Sequence, residues 1–389
     1  MPYAAAVSHS TDTARALAEV VEAALASLGR GRTDLACVFF SPHHSGDGEL
    51  IAKTLAQRLG PNVIGCQGES IVATGKEFEN VPAMSLWLAD FGGSVEVEPF
   101  HLVPDQGREG PTLFGWPDGL VDCDPAASVL LTFADPHTFP VSELFFPRVK
   151  EDYPGLPIVG GMSSGALGPG QTVMVRQAET AYHGAVGALL RGPLRWRTVV
   201  SQGCRPIGRP LVITKGRDNI IQEVGGLGPL KYLQDLYDGL PSRDQDLFRK
   251  GLHIGLVTTE YREAFTRGDF LIRNIYSIDR DNGSLIVTDR VRVGQTIQFQ
   301  LRDADTADDD LRMLLRADKA AHDPAEGALL FTCNGRGTRL FAMPDHDARA
   351  VAEEVGSVPT AGFFAAGELG PVGGTNYVHG FTASVVLFS

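Results

Sequence analysis

The sequence predicts an α/β protein with mixed β-sheets, flanking helices and internally repeated strand–helix–strand units. Three observations carry that prediction. Apolar runs of strand length alternate with amphipathic helical segments. One strand–helix–strand pattern occurs three times at a spacing of about 30 residues. Glycine and proline, 45 and 24 of 389 residues, fall in short clusters between apolar runs, which marks many tight turns. At about 150 residues per domain, the length suits two or three domains, or one with internal duplication.

The elements follow in order. Leu17, Val20, Val21, Ala24, Leu25 and Leu28 recur at helical spacing between a Ser10/Thr11 cap and Gly29. Leu35 to Phe40 reads as a buried strand. A second amphipathic helix, from about Gly48 to Leu59, stops at Gly60-Pro61. Short strands follow at Val63-Ile64-Gly65 and Ala83 to Ala89, and Val95, Val97 and Leu102 alternate as in a half-exposed strand. The middle begins again with a strand, Ser128 to Phe133, then a helical piece, Val141 to Val149, interrupted by Pro147. Strands at Pro157 to Val159, Thr172 to Val175, Ala185 to Leu190 and Trp196 to Val200 complete this half.

Beyond Gly203 comes a helix from Pro229 to Tyr237 and then strands at His253 to Thr258 and Phe270 to Ile278. Asn282-Gly283 ahead of Leu285 to Val287 signals a hairpin. Thr296 to Leu301, an acidic helix from Ala304 to Arg316, and Ala328 to Thr332 come next. A helix from about Asp345 to Val355, then Thr360 to Phe364 and Phe381 to Phe388, close the chain.

Composition excludes several classes. There are 47 acidic and 34 basic side chains, for a net charge of −13. No Lys/Arg run reverses this locally, so nucleic acid is excluded as a partner. Five widely spaced cysteines (Cys37, Cys66, Cys123, Cys204 and Cys333) form no CxxC pair. They argue against a disulfide scaffold or structural zinc and for reduced thiols in the cytoplasm. Met1-Pro2-Tyr3-Ala4 has the character of no signal peptide. The longest uncharged stretch, Tyr153 to Val175, is broken by glycine and proline, so no membrane insertion is expected.

In the repeat, the first strands start at Leu35, Ser128 and Ala328. The second enter through Pro61-Asn62, Pro157 and Pro359 and end in glycine-rich turns. His183-Gly184 and His379-Gly380 are expected to open returning strands. A unit of this size makes its two strands parallel, with a right-handed crossover. The loops after both strands then share the carboxyl edge of the sheet, where open α/β sheets bind ligands. Residues 1–195 are expected to hold two units, and residues 196–389 a β-rich insertion and the third unit.

Several stretches resemble the signature segments of FIST domains, named for F-box and intracellular signal transduction. They are Phe331-Thr332-Cys333-Asn334-Gly335-Arg336-Gly337, Gly362 to Pro371 and His379 to Ser384. Gly203 to Gly208, Gly268 to Asn274, Phe40 to His44 and Ile64 to Glu69 match the same family. The resemblance covers roughly residues 5 to 389. It implies an N-terminal and a C-terminal FIST domain in a sensory protein that binds a small ligand such as an amino acid. It brings no catalytic residues. The length leaves no room for an output module, so the chain is expected either to act through a partner protein or to be an orphan ligand-binding protein.

The loop Cys333 to Gly337 gathers a thiol, an amide and a guanidinium at one strand end. Arg336 could clamp a carboxylate in a bidentate fork, with Asn334 beside it. Glu368, in a Gly/Ala-rich loop, needs a partner. Arg336 is the candidate, or a ligand ammonium group, so the pair could read both ends of an amino acid. A structural salt bridge is the alternative. Phe363, Phe364 and Tyr377 are expected to wall the pocket, with Asn376 and His379 flanking it. The resemblance adds Cys204, Arg205, Arg273 and Asn274.

No cofactor and no metal is expected. His43-His44 point apart in extended chain, His137, His346 and Asp347 complete no ligand pattern, and Asp345 reads as a helix N-cap. Val224 to Pro229 lacks both a Walker lysine and the Rossmann spacing. The leading function is thus non-enzymatic binding of a small polar metabolite, such as an amino acid, at the third unit. The alternative is a hydrolase or transferase using Cys333 as nucleophile, with His379 or His346 as base, although no nucleophile elbow surrounds it.

Overall fold

The computed structural model describes residues 3–29, 31–107, 110–261, 265 and 268–389. They form two compact units, Met1–Val200 with Leu311–Ser389, and Ser201–Asp310. The third repeat unit therefore groups with the first two, not with the β-rich insertion that precedes it.

The three expected strand–helix–strand units are present in the first compact unit, and in each the two strands run parallel. Leu35–Phe40 pairs with Val63–Gln67, Ser128–Ala134 with Ile158–Met162, and Gly327–Cys333 with Thr360–Ala365. The first strands are buried along their whole length, as unbroken apolar runs covered on both faces require. A returning antiparallel strand flanks each: Met84–Ala89, Ala185–Arg191 and Thr382–Phe388. Tyr3–Ser8, Glu96–Gly107 and Trp196–Gln202 lie outside those.

The hairpin after each second strand leaves its own sheet. Ser70–Ala73 and Lys76–Glu79, from the first repeat unit, extend the third sheet beside Thr360–Ala365. Gly367–Val372 and Thr375–His379, from the third, extend the second sheet beside Ile158–Met162. Met174–Arg176 and Glu179–Ala181, from the second, extend the first sheet beside Val63–Gln67. The exchange is cyclic, so three sheets of like strand order make a pseudo-threefold body. Phe39, Phe133 and Phe331, at equivalent positions of the first strands, meet in its core with ring centroids 5.2, 6.2 and 5.9 Å apart. Gly65, Gly160 and Gly362 are equivalent too. A Cβ on any of them would lie 2.0, 2.0 or 1.8 Å from a first-strand carbonyl oxygen, so close strand approach demands glycine there.

Several local expectations are corrected. The first helix, Thr13–Leu28, is capped by Asp12, whose carboxylate accepts from Arg15 N at 2.7 Å, not by Ser10 or Thr11. The piece after Pro140 is a π-helical turn, Val141–Phe145, followed by the helix Phe146–Asp152. Pro147 begins that helix instead of interrupting one. The last returning strand starts at Thr382. Register pairs Ala185 with Ala134 and Ala383 with Thr332, so the counterpart of His183 is Phe381, not His379.

The second compact unit is a closed six-stranded barrel. Its strands run Cys204–Arg217, Ile220–Val224, Leu285–Val287, Phe270–Ile278, Leu252–Val257 and Thr296–Arg302 in spatial order. Ile213, Ile221, Ile254, Leu285, Ile297 and Phe299 fill it. The expected Asn282-Gly283 turn forms, with Gly283 at φ +73°. Val224 to Leu227 is likewise a tight turn, closed by the Val224–Leu227 bridge.

Candidate functional site

Pseudo-threefold symmetry provides an internal control for every position of the first compact unit. Beside Cys66, Gly161 and Phe363 on the three second strands stand Met174, Glu368 and Ile71 of the exchanged hairpins. Their cross-strand mates are Ala181, His379 and Phe78. Two of the three junctions are thus apolar, and the third holds a carboxyl and an imidazole. Both Glu368 and His379 are buried, Glu368 completely. A fold that closes with Met174 and Ile71 at this position has no structural need of a carboxyl there, and burying one is costly.

Glu368 is only half satisfied. Its Oε2 accepts from Thr382 Oγ1 at 2.6 Å and Thr382 N at 3.3 Å, while its buried Oε1 has no partner among the described residues. Burial pushes its pKa up to about 8, against the pull of the Thr382 bonds and the Arg336 charge. The buried Ser384 hydroxyl, two residues along the same strand, is also without a partner among them. His379 Nε2 donates to Gly370 O at 3.0 Å, and Tyr377 meets the His379 ring edge-on at 6.2 Å. Gly370 is closely packed, since a Cβ there would stand 3.3 Å from Val200 Cγ2, 3.5 Å from Ser384 Oγ and 3.7 Å from His379 Nε2.

The loops after both strands of the third unit do meet at one edge, with Asn334 N donating to Ala365 O at 2.8 Å. The expected Arg336–Glu368 pair does not form. Arg336, fully buried, points its fork at Asp347, with Nε and Nη2 at 2.7 and 2.8 Å from the carboxylate. Its Nη1 donates to Phe381 O at 3.3 Å, and its guanidinium lies 5.2 Å over the Phe341 ring. Asp347 opens the helix His346–Glu354. That helix is capped from another repeat unit: Glu77 Oε1 accepts from Asp347 N and Ala348 N at 2.9 and 3.0 Å. Asp345, the expected cap, sits at φ +65° and instead accepts from Glu77 N through its carboxylate.

Cys333 is not set up as a nucleophile. Burial pushes its thiol up to about 12, and the nearby Glu368 pushes the same way, whereas a reactive cysteine needs a thiolate. Both expected bases have other partners. His379 Nε2 is turned to Gly370 O, and His346 Nδ1 donates to Asp347 at 2.9 Å.

Other expected residues serve the fold. Phe363 packs in the central aromatic cluster, and Phe364 lies buried beside Val72 and Val351. Asn376 is held by backbone at both ends, accepting from Ile158 N at 2.9 Å and donating to Leu156 O at 2.8 Å. Asn334 O accepts from Arg339 Nη1 at 2.6 Å. In the barrel unit Cys204 is buried, Arg205 pairs with Asp303 at 2.9 Å and with Asp244, and Arg273 pairs with Asp289 at 2.7 Å. Asn274 is exposed on the strand that carries Arg273.

The structure thus gathers Glu368, His379, Tyr377 and Cys333, with Arg336 reaching them through Phe381. Sequence reading placed none of Thr382, Ser384, Phe381, Asp347 and Glu77 in the site. The first two had a signal: polar residues alternating in an otherwise apolar final strand.

A profile of the FIST N domain matches residues 34–227, and one of the FIST C domain matches residues 229–371. An uncharacterized protein of Mycobacterium tuberculosis is 40% identical over 384 residues, 98% of each chain. An uncharacterized protein of Mycobacterium bovis is 39% identical over 384 residues, 98% of this chain and 97% of its own. The chain therefore belongs to the FIST family, whose domains are sensory modules of signal transduction.

Proposed function

We propose that this chain is a binding protein for a small amine-bearing metabolite, an amino acid or a close relative, whose ammonium group is received by Glu368. The observation that supports this is the unpartnered Glu368 Oε1, buried where the two sister junctions carry Ile71 and Met174. An ammonium group supplies the charge and the donors that a half-satisfied buried carboxyl lacks. Ser384 Oγ offers further polar contact. Arg336 has the role of a positioning residue in this reading, since Asp347 consumes its fork. The high pKa of Cys333 favours binding over catalysis. The five free cysteines suit the cytoplasm, and a partner protein would receive the signal. Among the described residues no helix is long and apolar enough to cross a membrane.

A thermal-shift panel of the twenty amino acids and simple amines tests the reading. A ligand at a hundredfold excess over its Kd adds about 2.7 kcal/mol to folding stability, which is a clear rise in melting temperature. Glu368→Met, which installs the residue of a sister junction, is expected to fold and to abolish the rise. A flat panel, or a rise that survives in Glu368→Met, would overturn the assignment. The second outcome would move attention to the open cleft of about 480 Å³ lined by Asp105, His137 and Glu143.

A further inference from the structure

Glu368 has no exposed surface, so any ligand that reaches it requires part of its shell to open. Among its neighbours one residue is conformationally strained. Phe381 holds φ +60°, a left-handed conformation that a bulky side chain adopts only under constraint from its surroundings. The constraint is visible. Phe381 O accepts the single 3.3 Å bond from Arg336 Nη1, its amide faces the Cys333 sulfur, and the next residue, Thr382, is tied to Glu368 by two bonds. Gly380 precedes it, so the His379–Thr382 turn joins the exchanged hairpin to the last strand through one flexible and one strained residue.

The sister turns are built differently. The counterparts of Phe381 and Thr382, by register against the first strands, are Pro82 with Ala83 and His183 with Gly184. Pro82 cannot hold a positive φ. In the second turn the positive φ falls on Gly184, at +80°, and glycine takes it without penalty. Only the polar junction places this strain on an aromatic residue.

We propose that Phe381 is a strained latch that closes the Glu368 site, and that its release couples occupancy of that site to the Arg336–Asp347 pair at the start of helix His346–Glu354. This rests on the reading of Glu368 as the ligand contact. Relaxation of Phe381 toward extended backbone swings its amide off Cys333 and its carbonyl off Arg336, and loosens Thr382 from Glu368. One motion then uncovers the carboxyl and frees a donor of the guanidinium that holds Asp347. The strain brings the open state within reach, because part of the cost of opening is already present in the closed one.

The test needs no ligand, because the same motion uncovers Cys333. The probe is a thiol-reactive disulfide reagent, with labelling of Cys333 followed by mass spectrometry on the native protein. Phe381→Ala and Phe381→Gly both lack the ring, but only glycine takes φ +60° freely. Left-handed backbone costs an L residue roughly 1–2 kcal/mol, so Cys333 is expected to label about five- to thirtyfold more slowly in Phe381→Gly than in Phe381→Ala. Melting temperature of both variants, measured alongside, checks that the fold is intact. Equal rates, or faster labelling in Phe381→Gly, would overturn the latch. A flat ligand panel with the expected labelling ratio would instead count against Glu368 as the ligand contact and leave the latch standing.

Discussion

Arg336→Ala is expected to lose about 3–5 kcal/mol of folding stability, because it leaves the fully buried Asp347 carboxylate without its counter-ion. The pair is bidentate, so Arg336→Lys is expected to recover only part of the loss: an ammonium replaces one of the two parallel bonds. Desolvation raises the Asp347 pKa, yet Arg336 and His346 hold it well below the usual carboxylate range. Asp347 is therefore charged in the wild type, whereas in Arg336→Ala the upward push of burial loses its main opponent, so the stability loss is expected to shrink as pH falls and the carboxyl takes up a proton. An apolar double variant, Arg336→Met with Asp347→Leu, is expected to regain most of the stability, since no buried charge remains. Urea unfolding of the three variants reads these differences. A loss below about 1 kcal/mol in Arg336→Ala would mean that the pair behaves as a surface salt bridge does.

Stability is also expected to fall as pH rises from neutral toward 8, the reverse of ordinary carboxylate behaviour. Burial raises the folded pKa of Glu368 from 4.5 to about 8, and it raises Glu77 too, where the Asp347 charge adds to the effect. Between pH 4.5 and 8 the unfolded chain has released the Glu368 proton and the folded chain retains it. Folding stability therefore declines across that window and levels off above it. Each tenfold difference in proton affinity between folded and unfolded chain is worth about 1.4 kcal/mol, so Glu368 accounts for a few kcal/mol. His44 and His253, whose pKa values burial lowers, act in the opposite sense below pH 6.5, so the comparison belongs between pH 6.5 and 8.5. There Glu368→Gln is expected to flatten much of the slope and to exceed the wild type in melting temperature at pH 8. A slope unchanged by Glu368→Gln would show that Glu368 is already ionised when folded.

Much of the fold was legible because its signals are local. Apolar runs such as Leu35 to Phe40 and the stop at Gly60-Pro61 announce strands and helix ends within a dozen residues. The threefold recurrence of strand, helix and strand needed only spacing. What escaped was non-local. Nothing in Ser70 to Glu79 says that this hairpin completes a sheet nearly 300 residues away beside Thr360–Ala365, or that Glu77 caps a helix there. The same blindness produced the wrong partner for Arg336. Glu368 and Arg336 do leave neighbouring strand ends, but Asp347 lies on the helix between those strands and Thr382 on the strand opposite. The glycine-rich loops marked where the two strand ends of the third unit meet, while the polarity that distinguishes the third junction became visible only once Ile71 and Met174 could be set beside Glu368.

The most direct measurement is calorimetric titration at pH 7 with the amino acid or amine that gives the largest thermal shift, repeated in buffers of different ionisation enthalpy. Glu368 is mostly protonated at that pH, and an ammonium group on it requires the carboxylate. Binding is expected to release about one proton per chain, with the release fading above pH 8. Binding with no proton release, or with release that persists in Glu368→Gln, would contradict the seating of an ammonium group on Glu368.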